Sequence, residues 1–322
     1  MLGAGALADL AATLRTGRGI AAKRDIAEAA GRLGISGASV VPVGDDCAAI
    51  PDGDGFLLLA IEGFISAFVA RDPWFAGWCG VMVNVSDIAA MGGRPLAVVD
   101  AVWAHGVDGA EPLLAGLRAA SGVFGVPVVG GHTNLTSDSQ QLSVAILGRA
   151  RRLLTSFDAR PGDRLVTAID LRGRYREPFA NWEAVTNAPP GRLRGDLELL
   201  PALAEAGLAV AAKDISQGGL IGTLLMLAEC SGVGAVVDVT AIPRPAGVPA
   251  DRWLQTFPSF GFILAVPPPD VADVLARFAG RGIACAEIGA FTAERRVAIA
   301  DGGERDTIWD FAREKLTGCG PA

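Results

Sequence analysis

The stretch Val83-Asn84-Val85-Ser86-Asp87-Ile88-Ala89-Ala90-Met91-Gly92-Gly93-Arg94-Pro95 sets polar groups inside an apolar, helix-forming segment. Asn84, Asp87 and Met91 are spaced by three and four residues, so they share one helix face while Val85, Ile88 and Ala89 point elsewhere. Gly92-Gly93 followed by Pro95 ends the helix. One carboxylate thus sits in apolar surroundings. Taken alone, such an Asp is most often a capping or buried structural group. Its meaning depends on the other carboxylates of the chain.

Working outward, residues 74–91 read as one long helix, preceded by an apolar run of strand length at 56–61 that ends in Glu62-Gly63. A strand at 40–43 runs into Gly44-Asp45-Asp46-Cys47, and Pro51 to Gly55 form a turn. On strand geometry Asp45 and Asp46 face opposite ways, so both meet one ligand only where the backbone bends; a plain Asp-rich turn is the alternative. Strands at 96–103 and 142–148 flank a helix at 111–124. A further strand at 126–129 leads into a turn, Gly130-Gly131-His132-Thr133-Asn134. Upstream, 2–16 and 23–33 are amphipathic helices joined by a basic loop from Arg15 to Arg24, either a solvated linker or a lid over a polyphosphate. Gly3 to Ala8 imitates a dinucleotide fingerprint, but no strand precedes it.

Arg160-Pro161-Gly162-Asp163 breaks the apolar pattern, which puts a domain boundary near residue 155 and divides the chain into 1–154 and 155–322. The second half reads as helices at 179–187 and 193–206, then a strand at 208–212 leading to Lys213-Asp214-Ile215-Ser216-Gln217-Gly218-Gly219-Leu220. A helix follows at 221–230, then strands at 234–242, 260–266, 283–290 and 295–300, with a helix at 270–280. Phe257 to Phe262 is an aromatic turn read as core packing. Strands and helices joined by glycine-bearing turns indicate an α/β (α+β) protein of two domains.

Composition narrows the function. The chain has 322 residues, 51% hydrophobic and 20% charged, enough for two ordinary cores. A net charge of −7 and scattered basic residues give no nucleic-acid footprint. The five cysteines lack metal or disulfide spacing and read as reduced thiols. No signal pattern or membrane-length apolar run is present, so a cytoplasmic protein with no membrane partner is expected.

Asp45, Asp46, Glu62, Asp87 and Asp214 stand at strand ends or isolated on a helix face. Oxygen donors without histidine or cysteine suit a hard cation such as Mg²⁺, which binds through a few carboxylates plus substrate phosphates. Gly130-Gly131 and Gly218-Gly219 would let backbone N–H groups approach phosphate, the second at a helix start. His132 either donates to a phosphate oxygen or bonds its own loop, whereas His105 reads as a turn residue. P-loop, kinase and serine-triad signatures are absent.

Five motifs in order resemble the aminoimidazole ribonucleotide (AIR) synthetase superfamily, with its thiamine-monophosphate kinase, selenophosphate synthetase and hydrogenase-maturation relatives. They are Gly44 to Ala49, Asn84 to Gly92, Gly130 to Thr133, Arg160 to Asp163 and Asp214 to Leu220. The resemblance implies an N-terminal domain that forms a dimer-interface sheet or barrel, a C-terminal α/β sandwich, a homodimer, and ATP–Mg²⁺ as cofactor. It implies metal binding by the aspartates matching Asp45 or Asp46, Asp87 and Asp214, and phosphorylation or activation of a small-molecule substrate. Asp45, Asp87 and His132 are the expected catalytic residues; Asn84, Gly130, Gly131, Thr133, Gly218 and Gly219 the expected nucleotide contacts; Asp45, Asp46, Glu62, Asp87 and Asp214 the expected metal ligands.

The departures set this chain in a branch of its own. Thiamine-monophosphate kinase-like members usually carry acids at the positions of His132 and Gln217. No cysteine stands in a glycine-rich N-terminal segment, as selenophosphate synthetases require, and Cys319 is displaced from the terminal position used by the hydrogenase-maturation relative. Two other readings stay open: a nucleotide-binding protein without turnover, and a thiamine-monophosphate kinase with altered ligands.

Overall fold

The structure, a computed structural model, describes residues 5–34 and 39–321. Leu2 and the Gly3-Ala4 start of the first expected helix lie outside them. Helices α1 (Ala6–Arg15), α2 (Arg18–Ala21) and α3 (Asp25–Leu33) precede strands β1 (Ala48–Asp52) and β2 (Gly55–Phe64). Next come α4 (Ser66–Arg71), α5 (Pro73–Ala90), β3 (Gly93–His105), α6 (Gly106–Phe124), β4 (Val128–Asn134) and β5 (Thr136–Ala150). The chain continues with β6 (Arg164–Ile169), β7 (Arg174–Tyr175), β8 (Asn181–Glu183), α7 (Pro190–Leu197), α8 (Leu199–Ala206), β9 (Ala211–Asp214), α9 (Gly219–Ser231) and β10 (Gly234–Asp238). It closes with α10 (Ala250–Leu254), β11 (Phe257–Pro258), β12 (Gly261–Val266), α11 (Val271–Ala279), β13 (Ala284–Thr292), β14 (Arg296–Asp301) and β15 (Glu304–Asp310).

Contacts divide the chain into a first unit, Asp46–Leu153 with Ala188–Ala202, and a second, Met1–Asp45 with Leu154–Asn187 and Leu203–Ala322. A single cut at residue 155 therefore does not describe the packing. Leu7, Leu10 and Leu14 of α1 are buried in the core cluster that holds Ile308 and Trp309, which draws the N-terminal helices into the second unit. Arg194 of α7 donates to the Val123 and Gly122 carbonyls at the end of α6, at 2.8 Å each, and so draws that segment into the first. The pairing capped by Arg194 was not visible locally, because its partners are some 71 residues away.

In the first unit a sheet of order β1-β2-β5-β3-β4 is antiparallel except between β3 and β4. Helix α5 covers one of its faces. Asp72 caps the helix, accepting from the Phe75 N–H at 3.2 Å, and Pro73 occupies the first turn, where its missing N–H costs nothing. Every residue from Phe75 to Ala90 is buried. Glycine makes this possible at two crossings: a side chain at Gly77 would run into the Leu113 carbonyl, and one at Gly116 into that of Trp74. The opposite sheet face leaves Leu59, Ile61, Val99 and Leu147 exposed, in a register that pairs Leu59 with Leu147 and Val99 with Ala145.

The second unit holds a seven-stranded sheet of order β15-β14-β10-β13-β6-β12-β9, antiparallel apart from β10 with β14. A small sheet, β11-β8-β7, lies in the same unit. Helix α9 is buried from Gly219 to Cys230, which explains its apolar run.

Three expectations are corrected. Residues 40–43 pass from bends into a turn and are not a strand, since Gly44 at φ 124° and the bends after it make no ladder. The helix expected at 179–187 is β8 followed by turns: the Trp182 indole N–H donates to the Asp170 carbonyl, and Trp182 pairs with both Tyr175 and Pro258. The Arg15 to Arg24 segment is helical and docked, with Arg24 2.9 Å and Arg15 3.8 Å from Glu314 and both guanidinium groups over Trp309.

Candidate functional site

Gly44 takes a positive φ, and the turn it makes separates the two adjacent aspartates. Asp45 is held in the second unit, where its oxygens accept from the Ser156 N–H at 2.8 Å and the Ser156 hydroxyl at 2.7 Å. Asp46 belongs to the first unit. It and Asp87, in the first unit, offer carboxylate oxygens within 4.8 Å of each other. Like charges this close are unfavourable without a cation or donors between them. The donor set is all oxygen, which fits Mg²⁺ or Ca²⁺ and not a soft metal.

Asp87 is 5% exposed and Asn84, one turn earlier on α5, is fully buried. The Asn84 amide donates to the Gly80 carbonyl at 2.8 Å, while its Oδ1 makes no hydrogen bond among the described residues. A buried acceptor without a donor is costly, so the position is suited to a donor that a ligand or water brings.

Asp214 is the last residue of β9 and 4% exposed. Gly218 caps α9 and Gly219 opens it at φ 64°, with the Gly219 N–H donating to the Ser216 carbonyl at 2.9 Å. The helix start at Gly218-Gly219 is therefore as expected. Glu62 lies within β2, not at its end; it is half-buried and pairs with Val144.

The Gly130-Gly131-His132-Thr133 segment is not a turn but part of β4, an edge strand, and all four residues are exposed. Its N–H groups are set by pairing with β3, which is why a glycine-based turn reading failed. His132 pairs with Ala101, and its ring lies 6.0 Å from that of Trp103. Gly131 has a different reason to be glycine, since a Cβ there would lie 2.7 Å from the Asp100 carboxylate. Sequence reasoning missed Asp100. Burial alone raises its pKa above the ordinary Asp value, and a lone carboxylate within Leu96-Ala97-Val98-Val99-Asp100-Ala101-Val102 was the available signal.

The fold and these carboxylates define a two-domain mixed α/β protein with a candidate hard-cation site. Residues 44–150 match the N-terminal domain of AIR synthase related proteins, and residues 182–302 match their C-terminal domain. The chain belongs to the AIR synthase related protein family.

It is 48% identical over 318 residues to the uncharacterized protein sll0787 of Synechocystis sp., covering 97% of this chain and 98% of that one. To the thiamine-monophosphate kinase of Pyrococcus abyssi it is 31% identical over 255 residues, covering 72% of this chain and 79% of the kinase. Among solved structures, T. maritima PurL complexed with ADP superposes with a TM-score of 0.71 at 20% identity. That match covers 81% of this chain but 44% of PurL, so the chain spans less than half of that relative and the likeness shows the fold alone.

Proposed function

We propose that this protein binds ATP–Mg²⁺ and uses it to phosphorylate or otherwise activate a small-molecule substrate, working as a homodimer. The observation that carries this reading is the convergence of the Asp46 and Asp87 carboxylates within 4.8 Å, one on a glycine turn and one on a buried helix. Kinship with a thiamine-monophosphate kinase supports it. A bound Mg²⁺ would neutralise charge on the phosphate groups, the main need of phosphoryl transfer.

The chain's own residues position the ligand. Asp46 and Asp87 hold the cation, and Asp214 is proposed as a further oxygen donor from β9, with Glu62 in a secondary role. Asp45, committed to Ser156, fixes the turn that aims Asp46. Asn84 Oδ1 accepts from a ligand donor. The start of α9 is proposed to face a phosphate, as helix starts do, through N–H groups other than that of Gly219, which the Ser216 carbonyl already holds. His132 and Thr133, with Gly130 and Gly131, are proposed as outer contacts from the edge strand. The exposed apolar face bearing Leu59, Ile61, Val99 and Leu147 is proposed as the dimer surface. Among the described residues no helix is long and apolar enough to cross a membrane.

The test is calorimetric titration with ATP, with and without Mg²⁺, followed by ADP release against a panel of small metabolites. Binding that requires Mg²⁺, with release stimulated by one compound, is the expected result. Absence of ATP binding in Mg²⁺ would overturn the proposal, and tight binding with no turnover against any acceptor would reduce it to nucleotide binding.

A further inference from the structure

The second unit brings two distant thiols over one backbone position. Cys230 is buried in the last turn of α9. Across the end of that helix runs the segment Leu316–Pro321, held by the buried Glu229 carboxylate. It accepts from the Leu316 N–H at 2.8 Å, the Thr317 N–H at 2.7 Å, the Thr317 hydroxyl at 2.5 Å and the Gly318 N–H at 3.3 Å. The next residue is Cys319, half-buried and reduced.

Gly44 shows how close the thiols come. A Cβ at that position would lie 3.0 Å from the Cys230 sulfur, 3.3 Å from the Cys319 sulfur and 2.6 Å from the Cys319 Cβ. Glycine leaves open the space the two sulfurs need to meet. At present the Cys230 S–H points to the Gly44 carbonyl at 3.7 Å and the Cys319 S–H to the Thr317 carbonyl at 3.6 Å, both weak bonds that rotation about χ1 releases.

We propose that Cys230 and Cys319 form a reversible thiol–disulfide site whose co-substrate is a low-molecular-weight disulfide, and whose oxidation stiffens the Gly44-Asp45 turn. The half-buried Cys319 is the entry point. Its thiolate attacks one sulfur of the small disulfide, forming a mixed disulfide and expelling one small thiolate, which takes up the proton Cys319 lost. Cys230 then attacks the Cys319 sulfur, expelling the second small thiolate, which takes the proton of Cys230. Two protein thiols are oxidised to one S–S bond and one small disulfide is reduced to two thiols. Burial pushes the Cys230 thiol well up from its ordinary range, with Lys213 opposing and Asp45, Cys319 and Glu229 adding to the effect, which makes Cys230 the slower, resolving partner.

The consequence falls on the turn because Gly44 is packed against both sulfurs and precedes Asp45, whose carboxylate holds Ser156. An effect on Mg²⁺–nucleotide affinity through Asp46 rests additionally on the function proposed above.

The test uses the full chain incubated with oxidised glutathione under native conditions. Peptide mapping is expected to show a Cys230–Cys319 link, with two of the five thiols lost and recovered on reduction. Cys285→Ser leaves that result unchanged and Cys319→Ser abolishes it. Glutathione retained on Cys319, or a link through any other cysteine, would overturn the site. Hydrogen exchange of the amides from Gly44 to Cys47 should slow several-fold on oxidation, and unchanged exchange would overturn the coupling. Failure of the reduced protein to bind Mg²⁺–ATP would sink the proposed function while leaving both of these readouts decisive.

Discussion

Adjacent aspartates with opposite roles make a sharp prediction. Asp46 and Asp87 present oxygens within 4.8 Å. At the effective dielectric of about 20 that suits such sites, two charges at that separation repel by about 3 kcal/mol. Asp46→Asn removes the repulsion, so the metal-free protein should hold its stability or gain part of that amount. Asp45→Asn acts in the other direction. Both Asp45 oxygens accept from Ser156, and hydrogen bonds to an ionised acceptor contribute about 1.5–3 kcal/mol each. The amide can still accept from the Ser156 N–H and donate to the Ser156 hydroxyl, but both bonds lose their charge assistance, a loss of about 2–3 kcal/mol. At about 2–4 °C per kcal/mol for a unit of this size, Tm should fall by about 4–12 °C. Magnesium separates the variants a second way. Bound at about 100 times its Kd, the ion stabilises the parent by about 2.7 kcal/mol; Asp45→Asn should keep most of that rise and Asp46→Asn should lose it. Thermal unfolding of parent and both variants, in EDTA and in Mg²⁺, reads all six values. If Asp46→Asn in EDTA is as destabilised as Asp45→Asn, or if Mg²⁺ lifts it as far as the parent, the assignment of the two carboxylates is wrong.

Glu229→Gln should destabilise the second unit by about 2–4 kcal/mol, since the amide cannot serve the four donors of the 316–318 segment; faster hydrogen exchange confined to those amides is the check. Burial raises the Asp100 pKa, so its protonated form is favoured in the fold: its contribution is fully present below the ordinary value of 3.8 and lost as pH rises through the raised one. Asp100→Asn should therefore raise Tm at neutral pH, with the gain vanishing in acid, and a gain that persists at low pH would contradict the burial argument. Gly219→Ala forces a side chain to φ 64° and against the Leu254 carbonyl, costing at least about 2 kcal/mol. Gly218, at φ −71°, should accept Ala at lower cost, a ranking that denaturant titration reads directly. Ile61→Lys, at a position 69% exposed, should leave the fold intact and convert the proposed dimer to monomer in sedimentation.

Much of this protein was legible where physics is local. The three- and four-residue spacing of Asn84, Asp87 and Met91 needs only the helical period, and the structure places α5 at Pro73–Ala90 with those residues buried. Gly218-Gly219 at the start of α9 followed from turn chemistry, and the five ordered motifs led to a family that both domain matches bear out. The apolar runs of β6 and β12 likewise declared themselves as strands, because burial on both faces of a pleated surface leaves a contiguous apolar record.

Where neighbours distant in sequence decide, local reading went astray. Gly130 to Asn134 has the composition of a turn, yet pairing with β3 makes it a strand. Trp182 sits in a helix-like pattern, but its partners Tyr175 and Pro258 make it extended. Nothing near Asp45 and Asp46 says which one points at Ser156, because that hydrogen bond spans 111 residues. The meeting of Cys230 and Cys319 over Gly44 is of the same kind: a carboxylate at Glu229 folds a distant segment across the helix end. The sequence by itself determined which side chains can do chemistry and the helical or apolar periods that carry them; tertiary structure alone decided which carboxylate faces which partner, since hydrogen bonds and like-charge contacts are set by distance in space and leave no period in the chain.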